Sequence, residues 1–341
     1  MRIWMLPKVN KTNYYNRLFS ESLEKKGVQV NAFKKDSIFK IKRNDIIHFH
    51  WPSYLYQHDN ILLFLLKSFI FISALYFYSI RGVKIVWTIH NIYPHKIKYR
   101  RLEKKVRNLI AKKVDLIFVC AKSIKNEVVK EFDVNEGKVK VVYHGHYLDA
   151  YKRSNVDFRK HYQIPEGNFI FLFFGSINEY KGIPELIKSF NRIKDKNVTL
   201  LIVGKPNEDM KYLLEKYKDN ENIIFDFRFV PDDEVADLIS IADFIVLPYR
   251  EITTSGTAIL ALSFKKPVIS PRTPFMKEFF DSKTGILYDN CDTDGLYNAM
   301  LTAISKKTQI SDKAFEENLR KLDWDLISDE AIKYYKEIIL K

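Results

Sequence analysis

Only two cysteines occur in 341 residues, Cys120 and Cys291, too few for a zinc cluster or a disulfide framework. Cys120 lies in an apolar, strand-like run where a small buried side chain is expected, and this usage suits a reducing cytoplasm. The dinucleotide pattern Gly-x-Gly-x-x-Gly and the Walker lysine motif are both missing. So are zinc-finger spacings, an RNA-recognition signature and a low-complexity basic tail, which leaves the net charge of +14 without a nucleic-acid motif to explain it. An anionic membrane surface and an anionic lipid-linked substrate account for that charge equally well. The opening Met1 to Pro7 is interrupted too early for a secretory leader.

Hydrophobic residues make up 46% of the chain and aromatic residues 14%, enough for two cores of ordinary size. Short apolar runs alternate with helical patterns from end to end, the signature of α/β domains with parallel sheets. Strands are expected at Arg2 to Leu6, Val28 to Phe33, Asp45 to Pro52, Val83 to Thr88, Val114 to Val119 and Lys138 to Tyr143. The linker is placed around Tyr147 to Pro165. A second set of strands follows, at Asn168 to Phe174, Val198 to Val203, Ile223 to Phe227, Phe244 to Leu247 and Pro267 to Ser270.

Ligands of open parallel sheets sit at the carboxyl ends of the strands. In the first half those ends carry His48, His50 and Trp51, and then His90 and Asn91, with His95 shortly after. Two histidines with no nearby third ligand are a weak metal signal, so a wall of a binding cleft is the preferred reading, with aromatic faces that stack and imidazoles that bond hydroxyls. From Lys96 to Lys113 a basic helix is expected with one acid, Glu103. Ile61 to Ile80 is long enough to cross a bilayer. Because the strands on either side of it belong to one sheet, it is read as a helix packed on that sheet with one face able to dip into lipid.

In the second half, Gly175-Ser-Ile-Asn-Glu-Tyr-Lys181-Gly182 joins a strand to a helix, an arrangement suited to phosphate. Gly204-Lys205 ends the next strand and Arg228 the one after. Then comes Pro248-Tyr-Arg250-Glu251-Ile-Thr-Thr254-Ser255-Gly256-Thr257, whose small capping residues start a helix at a strand's carboxyl end, where open N–H donors attract an anion.

These strings resemble the motifs of GT-B glycosyltransferases, in the large group with many retaining hexosyltransferases (glycosyl transferases group 1). Thr88-Ile-His90-Asn91 is similar to the family's Thr-x-His-Asp. Gly175 to Gly182 resembles its Gly-Arg-x-x-x-Lys-Gly, with Ser176 in place of the arginine. Pro248, Glu251, Ser255-Gly256 and Pro267-Val268 match its nucleotide signature, while Leu260 stands where a second glutamate would hold the ribose and Lys265 where glycine is usual. The Ser-Gly pair looks like a divergent branch.

The resemblance implies two Rossmann-like domains facing across a cleft: an acceptor-side domain over residues 1–155, a nucleotide-sugar domain over 156–325, and a last helix, 326–341, crossing back. It implies catalytic roles for His90 and Glu251. Donor contacts are expected from Gly175, Lys181, Gly204, Lys205, Arg228, Arg250, Thr254, Ser255, Gly256 and Thr257, and acceptor-side contacts from His50, Trp51, Asn91 and His95. The expected reaction moves a hexose from a UDP- or GDP-sugar to a glycan or polyprenyl-linked saccharide, as in bacterial surface polysaccharide synthesis. Retention follows from the Glu251 match, whereas an inverting enzyme would use His50, His90 or His95 as base. Protein cations stand in for a metal, so no cofactor is expected. The expected location is cytoplasmic, at the inner leaflet of the cytoplasmic membrane, with no nucleic-acid partner. A nucleotide-sugar epimerase on the same architecture, and a basic binding protein for nucleic acid or anionic lipid, are the competing readings.

Overall fold

The computed structural model describes residues 1–10, 13–94, 97–148, 150–217, 220–250, 253–305 and 311–340. Glu251 and His95 lie outside the described residues. Two compact units result, one of Met1–Gly145 with Leu322–Lys341 and one of His146–Lys321. The division therefore falls somewhat before residue 155, and the last helix is part of the first unit.

The first unit runs β1 (Arg2–Leu6), α1 (Tyr15–Lys25), β2 (Gln29–Ala32), β3 (Ile46–Phe49), α2 (Ser53–Tyr56), α3 (Ile61–Ile80), β4 (Lys84–Ile89), α4 (Arg100–Lys113), β5 (Leu116–Val119), α5 (Lys122–Phe132) and β6 (Val139–Val141). The second has α6 (Phe158–His161), β7 (Phe169–Phe174), α7 (Ile183–Phe190), β8 (Val198–Val203), α8 (Glu208–Leu214), β9 (Ile223–Asp226), α9 (Asp232–Ser240), β10 (Phe244–Val246), α10 (Gly256–Ser263), β11 (Val268–Pro271), α11 (Pro274–Phe279), β12 (Gly285–Tyr288), α12 (Gly295–Ser305) and α13 (Lys313–Lys321). The chain then returns to the first unit as α14 (Trp324–Ile339). The basic helix starts at Arg100 rather than Lys96, because Tyr99 leaves helical geometry with φ −117° and ψ 69°.

Each unit has one six-stranded sheet, ordered β2-β1-β3-β4-β5-β6 and β12-β11-β10-β7-β8-β9. Every strand pairing is parallel. Strands buried on both faces read as near-continuous apolar runs, as Phe169–Phe174 and Val198–Val203 do. In both sheets the strand order reverses once, between β1 and β3 in the first and between β7 and β10 in the second. At such a reversal the connections diverge to opposite faces and leave a crevice beyond the strand ends.

Side-chain alternation assigns the two faces of the first sheet. Phe49 and Trp87 point to one face, where their rings meet Phe71 of α3 and Phe132 of α5, at 5.8 and 5.7 Å respectively. His48, His50, Thr88 and His90 share the other, under α1 and α14, where Phe19 and Tyr335 pack.

Candidate functional site

The reversal in the second sheet is lined by the turns after β7 and β10. The chain leaves β7 through Gly175 at φ +127°. The turns after β7 and β8 are stitched together, Ile177 N–H donating to the Lys205 carbonyl at 3.0 Å and Asn207 N–H to the Ile177 carbonyl at 3.2 Å. Their approach is too close for side chains: a Cβ on Gly204 would meet the Gly175 carbonyl oxygen at 1.8 Å, and one on Gly182 the Pro248 carbonyl oxygen at 1.9 Å. Backbone is thereby packed on backbone at the strand ends where the sequence placed a phosphate.

Helix α10 opens into the same place. Ser255 caps it, its hydroxyl accepting from Ala258 N–H at 3.1 Å, so the N–H groups of Gly256 and Thr257 have no intrahelical partner. Thr257 Oγ1 lies 3.5 Å from where a Cβ on Gly175 would be. Lys181, on the single turn before α7, sets its ammonium 3.7 Å from the Tyr249 ring centre and 5.2 Å from that of Tyr180. Burial works against this charge, but the two tyrosines beside it more than offset the loss and its pKa is raised. A permanent cation, a helix start and two glycine turns converge at the strand ends.

The two predicted arginines are already engaged. The Arg250 guanidinium bonds Glu185, with Nε 2.9 Å from Oε1, and lies 3.6 Å from Glu179. Arg228 is held by Asp226 at 2.7 Å and Glu234 at 2.6 Å, so its charge is matched within the unit. Lys205 is exposed, and Thr254 stands just before the Ser255 cap. Leu260 is buried on α10, filling core where a ribose-binding glutamate was sought. Lys265 adopts φ +53° just beyond α10, a left-handed position in which glycine is favoured, which accounts for that residue type at the aligned place. Two Asp-x-Asp strings serve local turns: Asp292 accepts from Asp294 N–H at 2.9 Å, and Asp323 caps α14.

In the first unit the strand ends hold a cluster of imidazoles. His50 Nδ1 is 3.1 Å from His90 Nε2, His50 Nε2 is 3.1 Å from Met5 Sδ, and His90 Nδ1 is 3.8 Å from Cys120 Sγ. A thioether only accepts, so His50 carries its proton on Nε2 and His90 Nε2–H donates to His50 Nδ1. His90 Nδ1 faces the Cys120 thiol, which burial keeps protonated by pushing its pKa up to about 12. Trp51 covers one face of His90 at 4.4 Å, and Tyr15 meets His90 edge-on at 5.0 Å. His48 is a separate structural pair, bonded to Thr88 at 2.6 Å and to Tyr335 at 2.7 Å. His90 is therefore enclosed, at 8% exposure, and a substrate hydroxyl reaches it only by displacing one of these contacts.

Burial holds all four imidazoles of this region neutral: His144 is lowered to about 4, His48 to about 3, and His50 and His90 well below the usual 6.5. The unfolded chain takes up these protons near pH 6.5 and the folded one far lower, so stability is intact above 6.5 and lost as pH falls below it. Each such group contributes a slope of about 1.4 kcal/mol per pH unit. All four tryptophans lie in the first unit, so tryptophan fluorescence reports its unfolding. The fluorescence midpoint should fall steeply between pH 6.5 and 5, above the range where most carboxylates titrate, and less steeply in His144→Asn.

What fixes α2 and the loop beyond β4 is a buried ion pair that the sequence reading absorbed into a basic helix with one acid. Arg107 Nε donates to Glu103 Oε1 at 2.9 Å, one terminal nitrogen to the carbonyls of Asn91 and Ile92 at 3.2 and 2.9 Å, and the other to Ser53 Oγ at 2.7 Å. Tyr56 OH donates to Glu103 Oε1 at 2.7 Å. Beside the pair a cavity of about 390 Å³ opens between Gln57, Phe64, Lys98 and Tyr99. The only early signal was the spacing of an acid and a base four residues apart on one helix. Arg107→Met strands a buried carboxylate and should destabilise the first unit by about 3–5 kcal/mol. Adding Glu103→Gln should recover much of that, in urea unfolding followed by tryptophan fluorescence.

Two parallel sheets of Rossmann type, the second with a cation and a helix start at its reversal point, are the architecture of a GT-B glycosyltransferase. The family described as "Glycosyl transferases group 1" matches residues 155–322, and "Glycosyltransferase Family 4" matches residues 22–149. The second unit thus carries a glycosyl transferases group 1 domain, and the first matches glycosyltransferase family 4. Among curated relatives, the GDP-mannose:glycolipid 4-beta-D-mannosyltransferase of Xanthomonas campestris pv. campestris is 27% identical over 270 residues, which is 78% of this chain and 71% of the relative. Sucrose-phosphate synthase from Thermosynechococcus elongatus superposes with a TM-score of 0.76 at 15% identity, covering 100% of this chain and 99% of that one. Anabaena Alr3699/HepE in complex with UDP gives 0.73 at 15% identity, covering 99% and 100%. At such identities the two structures speak for the fold.

Proposed function

We propose that this glycosyltransferase carries mannose from GDP-mannose to a lipid-linked saccharide, as in surface polysaccharide synthesis. The observation that carries the donor assignment is Lys181 held beside Tyr249 next to the open start of α10. Negative charge grows on the diphosphate as the bond to the sugar breaks, and preorganised donors aimed there lower the barrier. The Xanthomonas relative, whose name specifies GDP-mannose and a glycolipid, supports this choice of donor and acceptor class.

In the step we envisage, an acceptor hydroxyl oxygen bonds to C1 of the sugar and the C1–O bond to the diphosphate breaks. The electron pair leaves with the diphosphate and the hydroxyl proton goes to a base. The Glu251 match favours retention, whereas the β linkage in the relative's name favours inversion, since nucleotide-linked mannose is the α anomer. We take inversion, with His90 or His50 as the base, because both are neutral imidazoles at pH 7. Lys181 and α10 take the part of a metal, so transfer should persist in EDTA.

The test is thermal shift with GDP, UDP and their sugars, followed by the anomer of the product. A ligand that binds only the folded state raises the melting temperature, and GDP should do so more than UDP. Lys181→Ala should weaken GDP by about 10–100-fold, the worth of one charge-assisted contact. Unchanged affinity removes Lys181 from the site, and an α product restores retention.

A further inference from the structure

We propose that α3 lies in the plane of an anionic lipid leaflet, as a docking face of the first unit that works independently of the donor site. The helix is apolar on two sides. Phe64, Ser68, Leu75 and Tyr78 turn inward and are buried. Outward, Leu62 is 71% exposed, Phe69 70% and Ile80 85%, with Leu66, Ile70 and Phe77 about half exposed. A helix facing water carries polar residues on that side; among these outward positions Lys67 is the one charge. A contiguous apolar surface of this extent on a soluble domain marks a contact site.

The charges beside it say what that contact is. Helix α4 runs alongside α3 in the same direction: Phe64 and Tyr99 meet at the two starts, with ring centres 5.7 Å apart, and Lys113 Nζ bonds Ser79 Oγ at 2.8 Å at the two ends. Exposed Arg100, Arg101, Lys104, Lys105 and Lys112 line α4, while its acid Glu103 is buried. Lys104 and Lys112 are met by Glu131 and Asp133, but among the described residues Arg101 and Lys105 have no carboxylate partner. Arg81 and Lys113 lie over the rings of Phe77 and Tyr76, placing two more cations at the C-terminal end of the apolar face. An apolar strip flanked by cations fits acyl chains below anionic headgroups; a second copy of this chain would bring like charges together.

The sheet excludes a transmembrane path. Helix α3 is the crossover between β3 and β4, which pair directly and in parallel from Ile46 opposite Lys84 to Phe49 opposite Trp87. A spanning helix would put these hydrogen-bonded neighbours on opposite sides of the bilayer. In the leaflet plane the helix keeps its inner seam on the sheet, and the most natural leaflet is the cytoplasmic one, where nucleotide sugars are available.

Flotation of the intact protein with phosphatidylcholine vesicles, with and without about 30 mol % phosphatidylglycerol, tests this. Wild type should float with the anionic vesicles and be partly released on raising salt from about 0.1 to 0.5 M. Leu62→Glu/Phe69→Glu should lose at least about tenfold in partitioning at either salt, with its melting temperature and GDP binding intact. Arg101→Glu/Lys105→Glu should lose the preference for anionic lipid. No flotation of wild type, or equal flotation of Leu62→Glu/Phe69→Glu, overturns the proposal. So does a dimer in sedimentation velocity that the same variant abolishes. Resistance of membrane-bound protein to alkaline carbonate overturns the in-plane placement.

Discussion

The first unit of this protein depends on one buried ion pair. Arg107 and Glu103 are 4% and 1% exposed, and burial of two charges is costly unless every remaining hydrogen-bonding position is filled. Here those positions are filled by the Asn91 and Ile92 carbonyls, Ser53 and Tyr56, which belong to the loop beyond β4 and to α2, just after β3. The need of the pair for partners and the need of those segments for order are met by the same bonds. His90 sits directly before the clamped Asn91, so the position of that imidazole is set from α4.

The second unit solves a different problem with fewer charges. The anion site we propose there relies on one ammonium and on backbone donors, while two guanidiniums of the unit are matched by carboxylates. A helix start is fixed in place by the fold and needs no side chain to be ordered when a ligand arrives. The close approaches at Gly182 and Gly204 bring the turns near enough to use it. Loss of the family's arginine at Ser176 is tolerable in such a site because backbone donors supply part of the field.

The sequence made the sheets legible because strands buried on both faces are near-continuous apolar runs, and the cap at Ser255 because a small polar residue before a helix has few other uses. The imidazole cluster was legible only in part. Alternation put His48 and His50 on one face, but a pairing such as His48 with Tyr335, 287 positions apart, leaves no local trace. Period alone also made Glu103 and Arg107 look like two more charges on a basic helix. Lys265 shows the reverse case, since its left-handed φ satisfies the backbone requirement that a glycine would and its side chain conceals it.

Helix α3 could not be resolved by periodicity at all, for a physical reason. A helix between sheet and water shows one apolar stripe, while one between sheet and lipid has two apolar environments and shows none. Such a segment reads the same as a membrane span, and length and hydropathy cannot separate them. The distinction lies in the strands on either side, whose direct parallel pairing requires both ends of the helix to stay with the sheet. Topology, which hydropathy does not contain, therefore decides between crossing a bilayer and lying on it.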